Sequence, residues 1–217
     1  MDWQVAIDRN RTALLSIIVA LMKTLGLVDG GMLTTLPFYL YRKALMILRP
    51  AEAAVRRLIM MAAYDLELRG IKLRQARTVT SRAAFAFPNA TNFAPSFNLI
   101  DPLKTFGPGP ADYSGFGPAY DAEQGSSNRT PTPAASLGRR LLALKNALDT
   151  LQKQARRLTR WYAERDIALR QMRPHRTSPM RPGLPPGWRK RPVHPDEEVL
   201  LDCHSLAQYA RERRDSS

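Results

Sequence analysis

Cysteine is nearly absent from this chain of 217 residues, since Cys203 is the only one. No disulfide can form within the chain, so a reducing compartment is the simplest location and we expect a cytoplasmic protein. Histidine is scarce as well, with three residues. The pairs C-x-x-C and H-x-x-x-H, which are typical of zinc sites, do not occur, so the sequence predicts no metal and no other cofactor.

Recognisable catalytic motifs are also missing. Cys203 and His204 are neighbours, and on a helix they would point about 100° apart, which does not suit a nucleophile and its base. His194 and Asp196 lie nearby, but their spacing matches no known ligand set. The glycines of residues 107–117 follow no predicted strand and precede no lysine-serine pair, which excludes a phosphate loop. The sequence therefore identifies no catalytic residue and no small-molecule substrate, and a small enzyme or metal protein without a recognisable motif is the third hypothesis.

The longest apolar run is short. Residues 13–22 (ALLSIIVALM) are apolar apart from Ser16, and Lys23 ends the run well below the roughly 20 residues that span a bilayer. No small-residue cleavage site follows it. We interpret the run as part of a buried helix. The alternatives are a helix that lies on or in a membrane and a targeting signal.

The first 70 residues predict a helical unit. A first helix over residues 2–29 ends at two glycines, and a second begins near Pro37 in its first turn. Pro50 is expected to break or kink the second helix and to start a third, over residues 51–68. Three helices with short connections can pack their apolar sides together as a small bundle.

Residues 71–132 form a predicted irregular linker, because prolines and glycines are frequent and no helical period is present. Six of the seven phenylalanines nevertheless lie there, which a plain spacer would not need. Either the segment wraps around the helices or it offers anchors to a partner. The densest piece, residues 97–106, supplies the partner-docking candidates Phe97, Leu99, Ile100 and Phe106.

Residues 133–173 give the clearest periodicity, with apolar residues at alternating steps of four and three. This heptad pattern predicts one long amphipathic helix. Its leucine seam either folds back onto the N-terminal helices or pairs between chains in a homo-oligomer, and the pattern leaves both open. The seam leucines are Leu137, Leu141, Leu144, Leu148, Leu151 and Leu158.

Two segments remain at the C-terminal end. Residues 174–195 contain seven prolines and many arginines, and we expect a basic segment that is extended and largely disordered. Residues 196–217 predict a short helix whose first turn carries acidic residues, as the helix dipole favours. The fold class expected is all-α: a small helical bundle with one long basic helix, an irregular middle rich in Pro, Gly and Phe, and a tail rich in Pro and Arg.

Positive charge is concentrated in one stretch. The chain carries a net charge of +14, and residues 136–195 alone hold 15 basic and 3 acidic residues. Charge of this size favours nucleic acid, an acidic protein or an acidic lipid surface as partner. A solvated face that only secures solubility, or an arginine bias inherited from base composition, is the alternative. The anion-binding candidates are Lys153, Arg156, Arg157 and Arg160, opposite the seam, and Arg189, Lys190 and Arg191 in the tail.

Three passages resemble a group of small arginine-rich bacterial proteins of unknown function. They are residues 45–57 (LMILRPAEAAVRR), residues 139–161 and residues 185–204. The resemblance implies a bacterial, cytoplasmic protein, and it implies no activity. From the residues themselves we expect a non-enzymatic interaction protein whose basic helix and tail bind an anionic partner. The alternative is a self-associating structural protein peripheral to the membrane.

Overall fold

Helices dominate the computed structural model, which describes residues 3–27, 33–68, 96–102, 131–173, 175–176 and 178–215. The all-α prediction is confirmed, because the described residues add only two strands of three residues each. These strands, β1 (Thr35–Pro37) and β2 (Pro131–Pro133), pair antiparallel. The helices are α1 (Trp3–Thr24), α2 (Phe38–Leu68), α3 (Ala135–Asp149), α4 (Leu151–Arg170) and α5 (Pro195–Asp215).

Helix α2 is the centre of the fold and contacts the other four helices. Between residues 51 and 63, every residue except Glu52 is buried. A helical segment that is covered on all sides is expected to be apolar all round, and residues 53–63 are so apart from Arg56 and Arg57. Among the described residues, no helix combines the length and the apolar character needed to cross a membrane.

The structure differs from the expectation at Pro50, where α2 continues without a break. A proline inside a helix removes one hydrogen bond and costs about 3 kcal/mol. Burial of the turns on both sides of Pro50 offsets this cost, since Leu48 and Ala51 are each at most 1% exposed.

A second difference lies at Thr150, which separates α3 from α4 where one long helix was expected. Arg11 of α1 provides a physical reason. Its Nε donates to the carbonyl of Leu148 (2.9 Å), and its Nη2 donates to the carbonyl of Asp149 (3.5 Å). The amide of Lys153 donates to the carbonyl of Thr150 (2.9 Å), three residues back, and not to that of Asp149, four residues back. The regular hydrogen-bond pattern of the helix is therefore interrupted at this point.

The leucine seam packs within the chain. Its leucines face α1 and α2, and each is at most 5% exposed. Burying a leucine side chain contributes about 1.5–3 kcal/mol, so the seam is a large part of the core. In this fold the six seam leucines are therefore not on the surface.

The tail also differs from its expected extended, disordered form. Pro179, Met180 and Pro185 are buried, and Trp188 packs against the core. The carbonyl of Pro179 accepts from the amide of Asp101 (2.8 Å). Asp101 belongs to residues 96–102, which we call the strap, and the tail and the strap are held together in this way.

The end of α4 allows a first prediction, because Met172 has a φ of 51° in the left-handed region. The amide of Arg173 donates to the carbonyl of Ala168 (2.9 Å) and that of Met172 to Leu169 (3.1 Å), a helix end that usually places glycine here. The Met172 side chain is 96% exposed, so little packing depends on it. Met172→Gly should therefore raise the free energy of unfolding by about 1 kcal/mol in urea titrations. Met172→Ala keeps the strain and is the control, and equal stability of the two variants would contradict the prediction.

Candidate anion-binding surface

Helix α4 carries three exposed cations on one side, Lys153, Arg156 and Arg160, which we call the basic stripe. Steps of three and four residues place them on neighbouring turns. The part of the chain that the structure describes gives none of their side chains a hydrogen bond or an ion pair. Their charge is therefore uncompensated at the surface.

The basic stripe lines a groove of about 560 Å³. The first turns of α1 supply Gln4, Asp8 and Arg11 to the groove, and the junction of α3 with α4 supplies residues 149–152. Both carboxylates in the groove already accept hydrogen bonds. Asp8 accepts from Gln4 (3.1 Å), and Asp149 accepts from Lys145 (2.6 Å). An anion that enters the groove meets four cations and two carboxylates that are already hydrogen-bonded.

Two of the predicted anion-binding arginines make contacts within the chain. Arg157 donates through Nη1 to the carbonyl of Phe97 in the strap (3.0 Å). Arg189 pairs through Nε with Glu197 (3.1 Å), whose side chain is only 5% exposed. Lys190 and Arg191 are exposed, but they do not line the groove. The structure thus brings together three of the seven candidates.

The partner-docking candidates lie in or near the strap. Phe97 and Leu99 are 5% and 7% exposed, so they are anchored in this chain's own core. Ile100 is half-buried, and Phe106 lies outside the described residues. The segment therefore wraps onto the helices over residues 96–102, and two of its three described candidates are covered.

A buried ion pair that was not expected from the sequence holds the strap. Arg57 of α2 is fully buried and donates through Nη2 to Oδ2 of Asp101 (3.0 Å). Its Nε donates to Nδ1 of His204 (3.1 Å), and its Nη1 donates to the carbonyl of Ala53 (2.8 Å). Burial lowers the pKa of Arg57, and the charge of Asp101 partly offsets that effect.

Arg56 extends this cluster. Its Nε donates to the carbonyl of Asn98 (3.0 Å), and its Nη1 lies 3.6 Å from Oδ1 of Asp101. It also pairs at 3.7 Å with Glu52, which accepts two hydrogen bonds from Arg140 (2.9 and 3.0 Å). One local signal pointed to these contacts: Arg56 and Arg57 interrupt an otherwise apolar run.

Cys203 and His204, the neighbouring pair that the sequence offered as nucleophile and base, both make contacts within the fold. Cys203 is fully buried, and burial raises the pKa of its thiol. Burial, followed by the charge of Arg57, lowers the pKa of His204, whose Nδ1 already accepts from Arg57. Within the described ranges, no three potential ligands lie close enough to hold a metal ion.

The basic stripe and its groove are the features from which a function can be inferred. Comparisons with protein-family models, with curated proteins and with solved structures find no match to this chain. The fold alone does not specify a function, so the inference depends on the chemistry of the groove.

Proposed function

We propose that this protein is a non-enzymatic interaction protein that binds an anionic partner through the basic stripe. The observation that carries the proposal is the groove, in which Lys153, Arg156 and Arg160 lack partners while both carboxylates are already hydrogen-bonded. The four cations of the groove outnumber its two carboxylates, which leaves a net positive charge that attracts anions.

Nucleic acid is the partner that fits the stripe best. Lys153 and Arg160 are seven residues apart, which is about 10 Å along a helix axis. Measured along the axis of a duplex, this length corresponds to about three phosphates of one strand, since each adds about 3.4 Å of axial rise. Guanidinium groups bind phosphate oxygens in a bidentate manner, which suits the two arginines to this role.

The test is binding of a short DNA duplex and of the single strand across a salt series. The variant Lys153→Gln/Arg156→Gln/Arg160→Gln should lower affinity at least tenfold at low salt. The slope of log K against log salt should fall by about 2 to 3, because each lost phosphate contact removes about 0.9. Anisotropy of a labelled oligonucleotide measures both quantities.

The matched control removes the same charge elsewhere. Lys43, Arg139 and Arg170 are exposed and lie outside the groove. Changing these three to glutamine should alter affinity less than threefold. The proposal fails if the unaltered chain does not bind at low salt, or if the two triple variants weaken binding equally. Polyglutamate, used in place of DNA, tests whether the partner is an acidic protein. A higher affinity for polyglutamate than for DNA would show that nucleic acid is not the preferred partner.

A further inference from the structure

The strap lies on the helices in the manner of a bound extended peptide. Its residues alternate between covered and exposed positions, which is the period of two that an extended chain shows. Phe97, Leu99 and Asp101 are buried, whereas Ser96, Asn98 and Pro102 are exposed.

Arginine side chains bind the strap through its backbone. Three of its carbonyls each accept from a guanidinium, and the three guanidiniums come from α2, α4 and the tail. Contacts of this kind do not depend on the side chains of the peptide that is held. The pairs are Arg157 with Phe97 (3.0 Å), Arg56 with Asn98 (3.0 Å) and Arg176 with Asp101 (2.8 Å).

The buried side chains of the strap provide selectivity. The ring of Phe97 lies under the Arg56 guanidinium, with its centroid 5.4 Å away. Leu99 enters the apolar core. The carboxylate of Asp101 faces Arg57 at 3.0 Å and Arg56 at 3.6 Å, and the amide of Arg181 donates to it at 3.4 Å. The anchors are thus an aromatic residue, a leucine and an aspartate at alternate positions.

We propose that the surface under the strap, formed by α2, α4 and the tail, is a peptide-binding site. Its ligand class is an extended acidic peptide with an aromatic residue, a leucine and an aspartate at positions i, i+2 and i+4. The strap occupies the site as an internal ligand, which a partner with the same pattern displaces. This surface differs from the basic stripe, so the inference does not depend on nucleic-acid binding.

The contacts of Asp101 indicate that the strap is not the best ligand for the surface that it covers. Oδ1 of Asp101 is buried and has no hydrogen-bond partner in the part of the chain that the structure describes. A buried acceptor without a partner is unfavourable. A peptide that is not joined to the chain at both ends can place its carboxylate against both Arg56 and Arg57. Such a peptide gains a charge-assisted hydrogen bond that the strap lacks.

Competition with the strap makes the site testable. A ligand tethered in the same chain lowers the apparent affinity of any free ligand for that site. Weakening the strap should therefore strengthen binding of a free peptide. The double variant Phe97→Ala/Leu99→Ala does this without leaving a buried charge unpaired.

The probe is a labelled peptide with the sequence of residues 96–102, SFNLIDP, and fluorescence anisotropy measures its binding. We expect the double variant to bind it at least tenfold more tightly than the unaltered chain does. A peptide with asparagine in place of the aspartate should bind at least tenfold more weakly. Adding Arg157→Gln to the double variant should lower affinity several-fold, because one carbonyl contact is lost. The basic-stripe triple variant should bind the peptide unchanged.

A second measurement uses the unaltered chain, in case the double variant does not fold. With excess peptide, the amide of Asp101, which donates to Pro179, should exchange its hydrogen at least tenfold faster. The inference is overturned if a double variant with intact helical circular dichroism does not bind the peptide. It is equally overturned if the double variant is unfolded and excess peptide leaves the exchange of Asp101 in the unaltered chain unchanged.

Discussion

Replacing Asp101 with alanine is expected to lower the free energy of unfolding by about 3–5 kcal/mol. The variant leaves the guanidinium of Arg57 without its carboxylate, and both side chains are almost completely buried, at 0% and 1% exposed. A buried charge without a partner carries a large desolvation cost. Since domains of this size have a total stability of about 5–15 kcal/mol, the loss should be visible in a single denaturant titration followed by circular dichroism.

A double-variant cycle separates the ion pair from other effects of the substitution. Arg57→Met alone leaves Asp101 buried with Arg56 at 3.6 Å as its remaining cation, and it should also destabilise the protein. The double variant Asp101→Ala/Arg57→Met removes both charges and should be more stable than the Asp101→Ala variant. Additive losses, or a loss below about 1 kcal/mol for Asp101→Ala, would contradict the assignment of a coupled buried pair.

The burial of the seam leucines illustrates what could be predicted from the sequence. Leu144 and Leu158 repeat with the helical period, and this period depends only on neighbouring residues. The surface against which they pack could not be predicted, because folding back and pairing between chains bury the same side chains. In the structure α2 covers the seam together with α1.

The interruption at Thr150 shows a different limit. Residues 139–172 contain no glycine or proline, so nothing in the local sequence indicates that α3 ends at Asp149. The carbonyls at the junction accept instead from Arg11, which lies 137 residues before Leu148. A contact at such a separation has no signal in local periodicity.

The arginines could be located from the sequence but their roles could not be assigned. A charge count treats Arg56, Arg57 and Arg160 alike, and the physical expectation for each is exposure to solvent. In the structure Arg160 is exposed, whereas Arg57 pairs with Asp101, 44 residues away, and with His204, 147 residues away. Part of the arginine excess therefore stabilises the fold.

Helix α4 serves both proposed sites. Arg156 and Arg157 are adjacent, and successive residues on a helix point about 100° apart. Arg156 faces the groove with the basic stripe, whereas Arg157 donates to the strap. A ligand in either site therefore contacts the same rigid helix, while the residues needed for each site remain separate.

Replacing Gly187 with alanine is expected to lower the free energy of unfolding by about 2–5 kcal/mol. Gly187 has a φ of 80°, which costs about 1–2 kcal/mol for a residue with a Cβ. An added Cβ would also lie 2.8 Å from both the nitrogen and Cδ of Pro50. Overpacking of this kind costs about 1–3 kcal/mol more, because the clashing atoms are ring and backbone atoms of the buried Pro50 and not the end of a flexible side chain.

Gly183 provides the matched control, because its φ of 79° is nearly the same and an added Cβ would meet no atom within 4 Å. Gly183→Ala should therefore lower the free energy of unfolding only by the cost of the positive φ, about 1–2 kcal/mol. The difference between the two variants measures the contact between the tail and α2. Trp188, which packs against the core, should shift its emission to longer wavelength in Gly187→Ala and not in Gly183→Ala. Equal losses of stability in the two variants would show that the tail does not pack on Pro50 as closely as 2.8 Å implies.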